Sequence, residues 1–309
     1  MIVVDPKSKP CPGVERAISM AEEVLRKGDI LFSIGQLIHN RREVERLQKL
    51  GLQNVDNNSL LKTIEKNKLK KASFLVRTHG ELEGILKQIK EKNLPIVDAT
   101  CPIVRHSQEL IDQHVREGWG IIIIGNKDHP EVVGLKERTN GYGIVISTID
   151  EIDTIDFEGR SLLLGQTTVD PVFFSEAIKI LSTRLSNLKV VDTTCRFINK
   201  RQKDVADFCS NHDVTIFIGG KNSSNGKLLY KTALKHNPNT YFVEEPGDVD
   251  RRWFKKKYRV GVFGGASTPS WQLEELRSYL DNHHTDKNPK GFKNNKGGIF
   301  KWWKLKKQN

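Results

Sequence analysis

Asp98-Ala99-Thr100-Cys101-Pro102-Ile103-Val104-Arg105-His106 is the stretch on which the reading of this chain turns. It is nearly repeated as Asp192-Thr193-Thr194-Cys195, and a third cysteine, Cys11, stands in Lys9-Pro10-Cys11-Pro12-Gly13-Val14-Glu15-Arg16. The three cysteines are 90 and 94 residues apart, and each precedes a helix-like segment. A repeat of that size predicts three similar units, each offering one sulfur to a shared centre.

Working outward, each unit repeats one plan. After Cys11, the residues Val14, Ala17, Ile18, Ala21, Val24 and Leu25 recur at helical spacing, with Pro12 suited to a first turn. Strands follow over 30–35 and 72–76, leading into His39-Asn40 and Thr78-His79-Gly80. The second unit places a helix after Pro102 and strands over 120–125, 142–146 and 161–164, leading into His129-Pro130-Glu131 and Gln166-Thr167-Thr168. In the third, strands over 214–218 and 259–263 run into Lys221-Asn222-Ser223-Ser224-Asn225 and Gly265-Ala266-Ser267. The stretch 57–71 reads as a lysine-rich surface helix. Alternating strands and helices argue for parallel α/β sheets, in which ligands gather beyond the carboxyl ends of the strands.

The polar clusters recur in register. Cys11 to His39, Cys101 to His129 and Cys195 to Ser223 are each 28 residues. A second cluster follows each cysteine at 68 (His79), 66 (Thr167) and 72 residues (Ser267). Agreement at one offset, and near-agreement at another, predicts pseudo-threefold units aiming equivalent strand ends into one cavity.

The composition of the 309 residues is that of a globular protein with no apolar run long enough to cross a bilayer. Met1 to Asp5 reads as a strand and not as a signal peptide. Four cysteines do not make a secreted disulfide framework, so a reducing cytoplasm is expected, where spaced cysteines read as metal-binding or catalytic. Eight of the lysines behind the formal charge of +12 lie in residues 287–309, which have no Asp or Glu, so the body carries the remaining +4.

Cys209 reads as a small buried hydrophobe, and His114, His212, His236, His283 and His284 as solvated surface residues. The other three cysteines sit at strand-to-helix junctions, where a helix N-terminus favours thiolate. Three thiolates suit zinc or an iron–sulfur cluster. Structural zinc wants four close ligands, often as paired C-x-x-C units, and the chain has no such pair. A cubane on three cysteines leaves one iron open as a Lewis acid. Gly219-Gly220 followed by Ser223-Ser224-Asn225 offers neutral donors to phosphate oxygens ahead of a helix. The chain has no G-x-x-x-x-G-K-[ST] and no well-placed G-x-G-x-x-G, which leaves ATP and dinucleotides unsupported.

In order along the chain, Cys11-Pro-Gly-Val-Glu-Arg-Ala-Ile18, His39-Asn40, Thr78-His79-Gly80, Asp98-Ala-Thr-Cys-Pro102, His129-Pro-Glu131, Gln166-Thr-Thr168, Lys221-Asn-Ser-Ser-Asn225 and Gly265-Ala-Ser-Thr-Pro269 resemble the motif series of the 4-hydroxy-3-methylbut-2-enyl diphosphate reductase (LytB/IspH) family. The resemblance runs to about residue 280. It implies three similar α/β domains in a pseudo-threefold trefoil around a [4Fe–4S] cluster, with Cys11, Cys101 and Cys195 as its three ligands and one open iron. The domains would be 1–97, 98–191 and 192–282, with 283–309 a basic, disordered tail.

It implies an iron–sulfur oxidoreductase that dehydroxylates the allylic diphosphate reductively to isopentenyl and dimethylallyl diphosphates, the last step of the methylerythritol phosphate route. His39, His79, Ser223, Ser224, Asn225 and Ser267 would bind the diphosphate, and His129 would line the same pocket. Glu131 would serve a proton relay, with Thr167 holding the substrate hydroxyl. A ferredoxin or flavodoxin would supply electrons, with neither nucleic acid nor membrane required. Two flanks depart from the family pattern: prolines surround Cys11, and Arg196-Phe197-Ile198 follows Cys195. Two other classes stay in view. One is a nucleic-acid-binding protein using the tail, whose Phe300, Trp302 and Trp303 could also touch an anionic surface; the tail itself reads as a solvated basic extension. The other is a zinc hydrolase acting on a diphosphate.

Overall fold

The structure, a computed structural model, describes residues 1–56, 71–155, 159–255 and 257–284. Residues 57–70, expected as part of a surface helix, and the tail beyond 284 lie outside them. Twelve strands among the described residues form three four-stranded sheets in which every pairing is parallel. The first holds β2 (Ile30–Ile34), β3 (Leu52–Val55), β4 (Ala72–Val76) and β5 (Ile96–Asp98), in the order β3-β2-β4-β5. The second holds β6 (Gly120–Ile124), β7 (Gly143–Ile146), β8 (Ser161–Gly165) and β9 (Leu188–Val191), in the order β7-β6-β8-β9. The third adds β1 (Ile2–Val4) to β10 (Val214–Ile218), β11 (Thr240–Val243) and β12 (Val260–Gly264), in the order β1-β12-β10-β11.

The repeat is therefore cyclic. Each sheet has the same strand order, and the fourth strand of the third sheet is the first strand of the chain, with Ile2 opposite Val260 and Val4 opposite Val262. The three units are the pseudo-threefold trefoil, but Ile2–Val4 belongs to the third sheet and not with the first-unit strands that follow it. A buried ion pair secures this junction. Arg201 binds Asp5 and Ser8, and the Ser8 hydroxyl also accepts the Gly264 N–H at 3.0 Å.

The central strands are buried on both faces, which is why they read as unbroken apolar runs: Ile121 to Ile124 and Leu162 to Leu164 are all inaccessible to solvent. Each such side chain contributes about 1.5–3 kcal/mol by leaving water. β3 carries only Leu52 and Val55 as apolar residues, too few to announce a strand in the sequence. Helices α1 (Pro12–Arg26), α4 (Pro102–Arg116) and α7 (Arg196–Ser210) follow the three cysteines, which are their N-caps. Helices α2 (Arg41–Lys49), α3 (Glu83–Glu91), α5 (Pro130–Glu137), α6 (Pro171–Arg184), α8 (Ser224–His236) and α9 (Ser270–His284) fill the remaining crossovers. Among the described residues no helix is long and apolar enough to cross a membrane.

The first and third units meet tightly. The point where a Cβ on Gly220 would sit is 2.2 Å from the His39 carbonyl oxygen, so only glycine fits. Beside it the Asn40 amide donates to the Ser267 carbonyl at 3.0 Å and exchanges two 2.9 Å bonds with Gln272.

Candidate functional site

The same strand ends recur around the pseudo-threefold axis. His39, His129 and Ser223 each stand five residues past the end of β2, β6 and β10. His129 and Ser223 are N-caps, and Asn40, next to His39, is the third. After β4, β8 and β12, the carbonyls of Thr78, Thr167 and Ala266 accept the backbone N–H of Cys101, Cys195 and Cys11 at 3.0, 2.8 and 3.0 Å. This hydrogen bond defines the true equivalence. Thr167 matches Thr78 and Ala266, whereas His79 and Ser267 match Thr168. The near-agreement of the second sequence spacing was thus one position out in the middle unit.

His39, His79 and His129 converge. Their ring centroids are 4.4 Å apart for His39–His79 and 5.3 Å for each of the other pairs. Burial, reinforced by the positive charges of Arg77 and Lys227, lowers His39 to about 4 and, together with the His39 ring, His129 to about 3. Burial, followed by the neighbouring histidines and Arg77, holds His79 well below the ordinary imidazole value. All three are therefore neutral at pH 7. His129 Nδ1 accepts the Glu131 N–H at 3.2 Å, which places its proton on Nε2. His39 Nε2 and His79 Nδ1 are buried with no hydrogen-bond partner among the described residues.

Against this wall lie Ser223 and Ser267, whose hydroxyls are 3.4 Å apart, with the Ser267 hydroxyl also 3.4 Å from the His39 carbonyl. Ser224 is the first residue of α8. Asn225 is 5 % exposed, and both polar atoms of its amide lack a partner among the described residues. Such groups, left dry and unpaired, cost free energy unless a ligand meets them.

Glu131, on the first turn of α5, is buried and not a surface acid. It accepts two hydrogen bonds from Thr167, N–H to Oε1 and hydroxyl to Oε2, both 2.7 Å. Burial pushes its carboxyl up to about 7, and the Thr167 bonds pull against that rise. The group is thus poised to hold a proton at neutral pH and to give it up. The resemblance implies that Thr167 holds a substrate hydroxyl; here its own hydroxyl is committed to Glu131.

The metal expectation requires correction. Among the described residues, the set whose ligand atoms all lie within 4.8 Å of one another is His39, His79 and His129, not Cys11, Cys101 and Cys195. The point where a Gly13 Cβ would sit is 3.4 Å from Cys101 Sγ and 3.8 Å from Cys11 Sγ. Helix N-termini do not make Cys11 or Cys195 a thiolate as they stand, because burial outweighs them. It pushes Cys11 up to about 11 and raises Cys195, and the nearby thiols add to the rise. A compact set of three imidazoles does not match a cubane held by three thiolates with one open iron, so no step below is routed through that group. The imidazoles have the donor count of a divalent-cation site, but Arg77 and Lys227 bias the pocket toward an anion.

Two further expectations resolve simply. Cys209 is fully buried in the third unit's core, as read. His114 is not solvated: it is 1 % exposed, with Nδ1 2.7 Å from the Leu110 carbonyl and Nε2 3.1 Å from Lys189 Nζ. Sequence reasoning passed over Arg77, Arg201 and Gln272, and it named Asn40 only as part of the His39-Asn40 motif, without a role. Of these, Arg77 and Asn40 sat in plain view, each directly beside a strand end or a named histidine.

Comparison with known proteins identifies the family. The LytB protein family model matches residues 2–281. The 4-hydroxy-3-methylbut-2-enyl diphosphate reductase of Bacteroides thetaiotaomicron is 35% identical over 286 residues, spanning 90% of this chain and 97% of that relative. The reductase of Aquifex aeolicus is 34% identical over 275 residues, spanning 87% and 92%. A solved (E)-4-hydroxy-3-methyl-but-2-enyl diphosphate reductase, described as the terminal enzyme of the non-mevalonate pathway, superposes with a TM-score of 0.69 at 33% identity and covers 91% of this chain and 99% of its own. The Plasmodium falciparum reductase shares the fold with a TM-score of 0.81 at 23% identity, covering 92% and 88%.

Proposed function

The chain belongs to the LytB family, and from that premise we infer how its own residues serve the family's reaction. By family it stands among the iron–sulfur oxidoreductases of isoprenoid synthesis, although the compact ligand set of its own pocket is the three imidazoles. It converts (E)-4-hydroxy-3-methylbut-2-enyl diphosphate to isopentenyl and dimethylallyl diphosphates by reductive dehydroxylation. Two electrons and two protons turn the allylic C–OH into C–H and water. The electrons come from a redox partner, for which the ferredoxin and flavodoxin classes are the proposed donors.

His39, His79 and His129 hold the diphosphate together with Ser223, Ser224, Asn225 and Ser267. Neutral imidazoles, hydroxyls and an amide can donate to phosphate oxygens without needing to be charged, and Arg77 and Lys227 supply the favourable field. The α8 N-terminus, capped by Ser223, adds a partial positive charge. Binding the diphosphate away from the breaking C–O bond orients that bond. Glu131 delivers the proton that lets the hydroxyl leave as water, and Thr167 positions it.

The observation that carries this assignment is the buried Glu131 carboxyl, raised to about 7 and held by two Thr167 bonds beside the histidine wall. Glu131→Gln keeps the size and removes the transferable proton. Anaerobic turnover of the allylic diphosphate with a reduced dye should fall by about 10²–10⁴, with little change in KM. Undiminished turnover in that variant would remove Glu131 from the relay.

A further inference from the structure

The first unit breaks a capping rule that the other two keep. Past β6 and β10, His129 and Ser223 each accept a helix N–H through their own side chains, from Glu131 at 3.2 Å and from Gly226 at 3.0 Å. The equivalent residue after β2 is His39, but the helix there is capped one residue later, by Asn40, whose Oδ1 accepts the Glu43 N–H at 3.1 Å. His39 is thereby released from capping, and its Nε2 has no partner among the described residues. It sits at the apex of a three-residue turn closed by the Asn40 N–H on the Ile38 carbonyl at 2.8 Å.

Asn40 does more than cap. It is buried, and every hydrogen-bonding site of its amide is used. Nδ2 donates to the Ser267 carbonyl at 3.0 Å and to Gln272 Oε1 at 2.9 Å, while Gln272 Nε2 donates back to Asn40 Oδ1 at 2.9 Å. A carbonyl can only accept, so the Ser267 bond fixes which way the Asn40 amide faces, and that in turn fixes Gln272. Gln272 is itself buried, on the first turn of α9. The link is returned from the other side by the Ser267 hydroxyl, 3.4 Å from the His39 carbonyl.

These contacts join the loops that carry two walls of the pocket. His39 belongs to the imidazole wall, and Ser267, 3.4 Å from the Ser223 hydroxyl, to the hydroxyl wall. The walls come from different units, so their separation is set at this junction. Gly220 lets the loops approach, since a Cβ there would lie 2.2 Å from the His39 carbonyl oxygen. The amide pair then holds them at that approach.

We propose that the Asn40–Gln272 amide pair sets the span between the imidazole and hydroxyl walls, and so selects a diphosphate over a single phosphate. The inference rests on the reading that these walls hold the substrate diphosphate. A diphosphate bridges both walls and gains full binding only when their spacing matches it. A single phosphate settles on one wall and is indifferent to that spacing. Both residues are positioning residues. Asn40 has no hydrogen-bonding capacity left for a phosphate and acts through His39 and Ser267, and Gln272 acts through Asn40.

The test is anaerobic turnover of the allylic diphosphate with a reduced dye, with inorganic diphosphate and inorganic phosphate as competing inhibitors. Gln272→Met removes the partner amide, yet Asn40 keeps its bonds to Ser267 and Glu43, so the fold should hold. Asn40→Ser keeps an oxygen able to cap α2 and removes the donor to Ser267. KM and the inhibition constant of inorganic diphosphate should rise together, about threefold to fivefold in Gln272→Met and about tenfold in Asn40→Ser. The constant for inorganic phosphate should not move, and kcat should stay within about twofold. Adding Gln272→Met to Asn40→Ser should cost nothing further, because the two amides act as one pair. Unchanged constants in both variants, equal losses for the two inhibitors, a fall in kcat alone, or additive losses in the double variant would each overturn the proposal. Failure of inorganic diphosphate to inhibit the unsubstituted enzyme would instead strike the diphosphate reading of the walls, and the proposal with it.

Discussion

Thr167→Val isolates the step on which the proton chemistry depends. The substitution keeps the shape and the backbone N–H bond to Glu131 Oε1, and it keeps the carbonyl that accepts the Cys195 N–H. It removes only the 2.7 Å hydroxyl bond to Oε2. Burial raises the Glu131 carboxyl to about 7 while the Thr167 bonds favour its charged form, so losing one of them must raise it further. A hydrogen bond to a charged group contributes about 1.5–3 kcal/mol and a pK unit corresponds to about 1.4 kcal/mol, so the rise is roughly one to two units. The measurement is the pH dependence of anaerobic turnover, in which the alkaline limb reports loss of the Glu131 proton. It should move from near pH 7 to about 8–9. Stability changes in the same sense. The folded state holds a proton that the unfolded state releases in the ordinary carboxylate range, so Glu131 favours folding fully below that range and progressively less as pH rises through about 7. In the variant that loss should extend to higher pH. An unmoved limb, or one shifted toward acid, would refute the claim that the hydroxyl stabilises the carboxylate.

Gly220→Ala should cost about 1–3 kcal/mol in chemical denaturation, because its Cβ would meet the His39 carbonyl at 2.2 Å. It should also raise KM, since the His39 loop moves with it. Arg201→Ala leaves Asp5 buried and unpaired and should destabilise the protein by about 3–5 kcal/mol, read from the urea midpoint. The three neutral histidines make the fold acid-sensitive in a definite direction. Their unfolded forms take up protons as pH falls below about 6.5, whereas folded His39 waits until about 4 and His129 until about 3, so stability falls across that window and levels off below it. Imidazole NMR titrations should show no step for either ring near pH 6–7, and a step there would contradict the dry, neutral wall.

The alternation of strands and helices was legible because the central strands are buried on both faces and announce themselves as apolar runs, as in Ile121 to Ile124. The 28-residue offset was legible because His39, His129 and Ser223 occupy one structural position, five residues past equivalent strands. Other features left no local trace. The pairing of Ile2 with Val260 joins residues at opposite ends of the chain, and no window of sequence contains both. The protonation of Cys11 and Cys195 misled for a different reason: helix position argued for thiolate, but burial, which sequence spacing does not reveal, dominates at both. His114 failed likewise, its burial arising from tertiary contact with Lys189, 75 residues away.

The cyclic strand order explains why three such distant segments meet at all. In each unit the fourth strand (β5, β9 or β1) passes through a cysteine-bearing loop into a helix that packs on the next sheet: α4 on β6, α7 on β12 and α1 on β2. Each cysteine thus marks a crossing between units, and its N–H is tied to the loop after the neighbouring strand of the sheet it leaves. Three equivalent crossings on one closed ring must surround a common axis. The ring closes only because β1 supplies the strand that the third unit would otherwise lack, with Arg201, Asp5 and Ser8 fastening it in place. The same closure gives the pocket its unequal walls. Equivalent positions carry His39, His129 and Ser223, so a symmetric frame presents imidazoles on two sides and hydroxyls on the third. The symmetry provides the convergence, and the breaking of it at single residues, such as Thr168 where the other loops have His79 and Ser267, leaves one side for Glu131 and its proton.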